Sequence, residues 1–105
     1  GLDAVGFRLG TSMRPTMRPL WRTTAVGIAR TCRYVPFRGE IPNLSPEEYL
    51  KWSGWYYGNV CPYPWIDSIQ PGDFIVIDAS GVDAGLMGSE NTLTCLAKGA
   101  TGLVT

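Results

Sequence analysis

Residues 71–105 constrain this chain more than any other stretch. Pro71-Gly-Asp-Phe-Ile-Val-Ile-Asp-Ala-Ser-Gly is followed by Gly85-Leu-Met-Gly-Ser-Glu-Asn, then by Thr92-Leu-Thr-Cys-Leu-Ala-Lys-Gly-Ala-Thr-Gly-Leu-Val-Thr. Phe74–Ile77 is a run of apolar residues with turn formers on both sides, the pattern of a strand covered on both faces in a parallel sheet. Leu93, Leu96, Ala97 and Ala100 recur at helical spacing and predict the buried face of a helix. Gly99 sits where that helix would stop. Gly102–Thr105 begins a second apolar run. A strand–helix–strand unit requires a right-handed crossover. It places the Gly85–Asn91 loop at the carboxyl end of the first strand and the amino end of the helix, where α/β folds tend to hold a ligand.

The rest of the chain narrows the function classes. A length of 105 residues allows one domain, and 45% apolar against 17% charged residues is a globular balance. Nine basic residues offset nine acidic ones, so no general affinity for nucleic acid or membrane is expected. Arg8, Arg14, Arg18, Arg22, Arg30, Arg33 and Arg38 do bias residues 1–40 toward positive charge. Without an aromatic–basic RNA-binding motif they read as solvated or interface arginines. The cysteines are Cys32, Cys61 and Cys95, with no close pair and no histidine in the chain. That composition argues against a His/Cys zinc site and removes Ser-His-Asp and Cys-His catalysis from this chain. An odd cysteine count without framework spacing favours a reducing, cytoplasmic compartment. Cys32 and Cys95 read as small core or near-core residues.

Taken in order, Gly1–Gly10 predicts the last turns of a helix ended by Gly6 or Gly10. Thr11–Leu20, with Pro15 and Pro19, predicts an extended loop. Thr23–Val35 predicts a long strand with apolar residues of both parities, hence central or covered on both faces, with Gly27 marking a bulge or a close backbone approach. Ser45-Pro-Glu-Glu predicts a helix start with a Ser45–Glu48 capping box and Pro46 in the first turn. Gly54 and Gly58 would let that helix end early. Trp52, Trp55, Tyr56, Tyr57, Tyr63 and Trp65 read as a packed lid or a subunit interface. A surface that stacks sugars or bases is the alternative.

The Gly85–Asn91 loop has definite chemistry available to it. The first N–H groups of a helix have no internal partner and carry partial positive charge, so they suit a carboxylate or phosphate. The loop matches neither the phosphate-binding nor the dinucleotide glycine pattern. Ser89 also suits a simple helix cap, and Glu90 suits the positive end of the helix dipole. Asp73, Asp78 and Asp83, with Glu90 after them, could hold a hard cation through water. Asp73 equally fits a structural Pro-Gly-Asp turn.

Ile69-Gln-Pro-Gly-Asp-Phe-Ile-Val-Ile-Asp, the Gly88-Ser-Glu-Asn loop and Ala97-Lys-Gly-Ala-Thr-Gly-Leu-Val resemble the family of the regulator of ribonuclease activity A (RraA), which includes 4-hydroxy-4-methyl-2-oxoglutarate aldolases. Leu2-Asp-Ala-Val-Gly-Phe and Ala25-Val-Gly-Ile-Ala-Arg-Thr-Cys-Arg-Tyr-Val-Pro are similar too, whereas residues 37–64 match less well. The resemblance implies an α/β fold, a β/β/α swivelling-type domain assembling as trimers or hexamers. It also implies a divalent-metal-dependent lyase, of aldolase or decarboxylase type, using Mg²⁺ or Mn²⁺ on a small oxo-acid. Gly88, Ser89, Glu90 and Asn91 fall on the substrate-binding stretch, with Glu90 hydrogen-bonding a metal-bound water. The family's loop more often reads Gly-Asp/Glu-Asn-Leu, so the acidic residue is shifted here. The family's substrate-holding arginine and metal-ligating aspartate would fall a few residues beyond Thr105. Residues 1–105 are therefore expected to be one partial domain, its C-terminal part missing or supplied by another chain, as in a nicked, split or truncated enzyme. The alternatives are a non-catalytic regulatory or protein-binding homologue, or a hydrolase on the same scaffold.

Overall fold

A computed structural model describes residues 2–6 and 15–105. Three parallel strands, β1 (Ile28–Arg33), β2 (Asp73–Asp78) and β3 (Gly102–Val104), form one sheet in the order β1-β2-β3. Helix α1 (Pro46–Asn59) lies between β1 and β2 in sequence, and α2 (Ser89–Ala97) makes the crossover from β2 to β3. Short 3-10 turns cover Leu2–Val5 and Pro64–Ser68. The fold is α/β, and the strand–loop–helix–strand reading of residues 71–105 holds.

The core sits on one face of β2. Along that strand Asp73, Ile75 and Ile77 are buried, while Phe74 and Val76 are half-buried. Ile75 and Ile77 pack with Ile66 and Ile69 from the 3-10 turn and its exit, and with Cys95 of α2. Full burial of one isoleucine contributes about 2 kcal/mol, so this small cluster is the main apolar support of the sheet. Asp73 is buried at the amino end of β2, yet paired. Its Oδ2 accepts from Arg30 Nε at 2.9 Å and from the Gln70 N–H at 2.9 Å. These bonds, the Gln70 N–H first, hold its carboxyl below the ordinary carboxylate range. Its structural reading is thereby supported.

Four expectations need correction. The long central strand over Thr23–Val35 is a six-residue edge strand, with Ile28, Ala29, Thr31 and Arg33 exposed. Its ladder begins where β2 begins, with the Ile28 N–H donating to Gly72 O at 3.0 Å. Gly27, just before it, is the close approach. A Cβ there would lie 2.5 Å from Thr101 Oγ1 and 2.7 Å from Gly72 O. Second, the buried face of α2 is rotated: Leu93 and Leu96 are each 64% exposed, and Cys95 turns inward. The exit of α2 sets that rotation, because the Ala100 N–H donates to Cys95 O and the Gly72 N–H to Gly99 O. Gly99 makes the turn with φ +89°, a region that favours glycine.

Third, α1 runs through Gly54 and Gly58 for 14 residues. Its capping box is formed as expected, with Ser45 Oγ accepting from the Glu48 N–H and Glu48 accepting from the Ser45 N–H. Fourth, Gly88 rather than Ser89 is the N-cap of α2, without a side-chain cap bond. The Leu2–Val5 turn followed by Gly6 at φ +89° fits the expected helical end. Residues 7–14, including Arg8 and Arg14, lie outside the described residues. No helix among the described residues is long and apolar enough to cross a membrane.

Candidate functional site

The loop of interest leaves the carboxyl end of β2 and delivers the chain to α2. Asp78 Oδ1 accepts from the Ser80 N–H at 2.8 Å, and the chain turns at Ser80 (φ +54°) and Gly81 (φ +75°). Val82 N–H donates back to Ala79 O. Leu86 and Met87 then pack against the core. Gly88 enters α2 in an extended conformation, φ −98° and ψ 173°. Thr92 N–H and Thr92 Oγ1 both donate to Gly88 O, which closes the first turn.

That geometry brings Gly88, Ser89, Glu90 and Asn91 together at one helix start. Gly88, Ser89 and Glu90 are exposed and Asn91 is half-buried. Among the described residues no acceptor reaches the N–H groups of Ser89, Glu90 or Asn91. Apart from the glycine itself and the residues adjoining it in the chain, no atom lies within 4 Å of a Cβ built on Gly85 or Gly88. Three free donors at the positive end of a helix, beside open space, can receive a carboxylate.

The other carboxylates do not join them. Asp73 and Asp78 stand at opposite ends of a six-residue strand, about 16 Å apart at ordinary strand rise. Each faces an arginine, Arg30 at 2.9 Å and Arg33 at 3.0 Å. Among the described residues no three His, Cys, Asp or Glu side chains come together as a metal site. Sequence proximity suggested a water-mediated cation site, and strand geometry takes Asp73 away from Asp78. Burial pushes the thiols of Cys32 and Cys95 above their ordinary values, so neither is a ready thiolate nucleophile. A shallow groove at the end of β1, lined by Arg33, Phe37, Arg38 and Ser80 among others, does not include Gly88–Asn91.

The aromatic cluster divides in two. Tyr49, Trp52, Trp55, Tyr56 and Tyr57 contact one another on α1, which buries no residue. Tyr63 and Trp65 belong with Tyr34: the Tyr34 and Trp65 ring centroids lie 6.1 and 6.2 Å from that of Tyr63. This second group touches the loop. Tyr63 Oη donates to Leu86 O at 3.1 Å, Ser80 Oγ donates to Tyr34 O at 2.6 Å, and Trp65 Nε1 donates to Tyr34 Oη at 2.9 Å. No local sequence signal reveals these contacts, because Leu86 is 23 positions from Tyr63 and Ser80 is 46 from Tyr34.

A family model described as RraA-like, Aldolase/RraA, matches residues 2–105. Neither a curated protein nor a solved structure matches the chain.

Proposed function

The chain belongs to the RraA-like family, and from that premise we propose that it carries the carboxylate-binding part of a divalent-metal-dependent lyase for a small oxo-acid. The observation that carries the reading is the set of free N–H donors on Ser89, Glu90 and Asn91 at the start of α2. Aldol cleavage or decarboxylation of an oxo-acid builds negative charge on an enolate oxygen beside the substrate carboxylate. Donors fixed by the backbone neutralise that carboxylate without reorganising as the charge grows. Holding the carboxylate also orients the bond that breaks.

The described residues do not form a ligand set for Mg²⁺ or Mn²⁺. In this reading the N–H groups of Ser89, Glu90 and Asn91 hold the substrate carboxylate. The proposal includes a β/β/α swivelling-type domain working as a trimer or hexamer in the cytoplasm. A pyruvate-release assay with Mg²⁺ on the full-length protein tests it. Turnover of a 4-hydroxy-2-oxo acid or of oxaloacetate is expected, and none on any of these substrates refutes it.

A second reading is regulatory. Tyr49, Leu50, Trp55 and Tyr57 are about half or more exposed around α1, an apolar surface suited to a protein partner. Affinity capture through α1 that fails when Trp55 is changed to Ser supports that reading, and capture indifferent to the change counts against it.

A further inference from the structure

We infer that Tyr63 is the positioning residue of the Gly85–Asn91 cradle, acting through the Leu86 carbonyl; its consequence for substrate rests on the lyase reading above. The first ground is scarcity. Among the described residues, the bond from Tyr63 Oη to Leu86 O is the only hydrogen bond between residues 83–87 and the rest of the chain. Leu86 precedes the N-cap Gly88 by two positions, so fixing its peptide limits how the donors of Ser89, Glu90 and Asn91 can be aimed.

The second ground is that Tyr63 is itself held. Its ring packs against those of both Tyr34 and Trp65. Its own carbonyl accepts from the Ile66 N–H at 3.1 Å at the start of the 3-10 turn, and Ile66 is in the core. Tyr34 is fixed in turn, with its N–H on Asp78 O and its hydroxyl donating to Pro62 O at 3.3 Å. The backbone carbonyl of Tyr34 also accepts from Ser80 Oγ at the start of the loop. Leu86 and Met87 contribute apolar contact but no direction. The hydroxyl of Tyr63 supplies the directional link.

Hydrogen exchange on the full chain tests this without any ligand. Tyr63→Phe removes one oxygen and keeps the ring. The Thr92 N–H closes the first turn of α2 on Gly88 O, so losing a bond of this kind should speed its exchange about three- to tenfold, with Ile75 and Val76 unchanged. Tyr34→Phe removes a hydroxyl from the same group without touching Leu86 and should leave the Thr92 amide at the parent rate. Unchanged exchange in Tyr63→Phe overturns the assignment, as does equal acceleration across β2. Equal acceleration in Tyr34→Phe also overturns it, since ring packing would then be the support. In the assembled enzyme Tyr63→Phe should raise KM by a similar factor at unchanged kcat, and a lower kcat at unchanged KM overturns the positioning role. If the parent shows no oxo-acid turnover, the lyase reading fails, while the exchange comparison still decides what holds the loop.

Discussion

Replacing Gly88 with serine should make the protein more stable and its carboxylate site worse. At φ −98° and ψ 173° the position accepts any residue, and apart from its own atoms and those of its chain neighbours no atom lies within 4 Å of a Cβ placed there. Serine caps a helix better than glycine by a few tenths of a kcal/mol. It also restricts the unfolded chain, which adds about 0.4–1 kcal/mol. The sum is about 1 kcal/mol, or about 4 °C in Tm for a domain of this length. The new Oγ reaches its capping position by accepting from the N–H of Glu90 or Asn91. Those are the donors assigned to the substrate carboxylate. Losing one charge-assisted bond costs about 1.5–3 kcal/mol, so affinity should fall about tenfold or more. Thermal unfolding gives the first number, and KM for the oxo-acid in the assembled enzyme gives the second. A higher Tm with unchanged KM would falsify the donor assignment. A lower Tm would contradict the N-cap geometry.

Other outcomes follow from the packing and the charges. Gly27→Ala should lower stability by about 3 kcal/mol in urea unfolding, because the backbone oxygen of Gly72, 2.7 Å from the new Cβ, cannot swing aside. An unchanged midpoint would mean that the approach is not tight. Ser45→Ala should weaken α1 by about 1 kcal/mol and reduce far-UV helicity. Exchange at β2 should not change, since α1 buries no residue. Asp73 has a folded pKa below its unfolded one, with the Gln70 N–H as the first cause and Arg30 next. Its stabilisation is therefore complete above the unfolded value and is lost as pH falls through the folded one. The urea midpoint should drop below about pH 4, and Asp73→Asn should flatten that acid limb.

The parts legible in the sequence are those whose causes are local. The Ser45–Glu48 box closes within four residues, and the β2–α2–β3 unit is written in consecutive apolar runs and a glycine stop. The location of the candidate donors followed from that unit. Exposure was less legible. Apolar residues of both parities suggested that β1 was covered, but its place at the rim depends on which strand pairs with the far side of β2. Leu93 and Leu96 have the right spacing for a buried face, yet the anchoring of Gly99 and Ala100 to distant backbone turns Cys95 inward. Asp73 and Asp78 looked like neighbours of Glu90 because the chain is linear, and an extended strand carries Asp73 away. The role of Tyr63 was hidden inside an aromatic run that the fold divides between two places.

The pairing of β1 with β2 has a consequence for alignment. With Ile28 and Cys32 on one parity and Ala29 on the other, apolar pattern alone does not select one register over its neighbours. Arg30 with Asp73 and Arg33 with Asp78 provide the selection. A slip of one residue sends each guanidinium to the opposite face. A slip of two carries Arg33 about 6.6 Å along the strand from Asp78, the residue directly opposite it in the ladder. The Arg33–Asp78 pair is largely exposed and adds little stability, so it works mainly as a discriminator between competing alignments. Two of the seven arginines that make the first part of the chain basic thus encode how its own sheet is assembled.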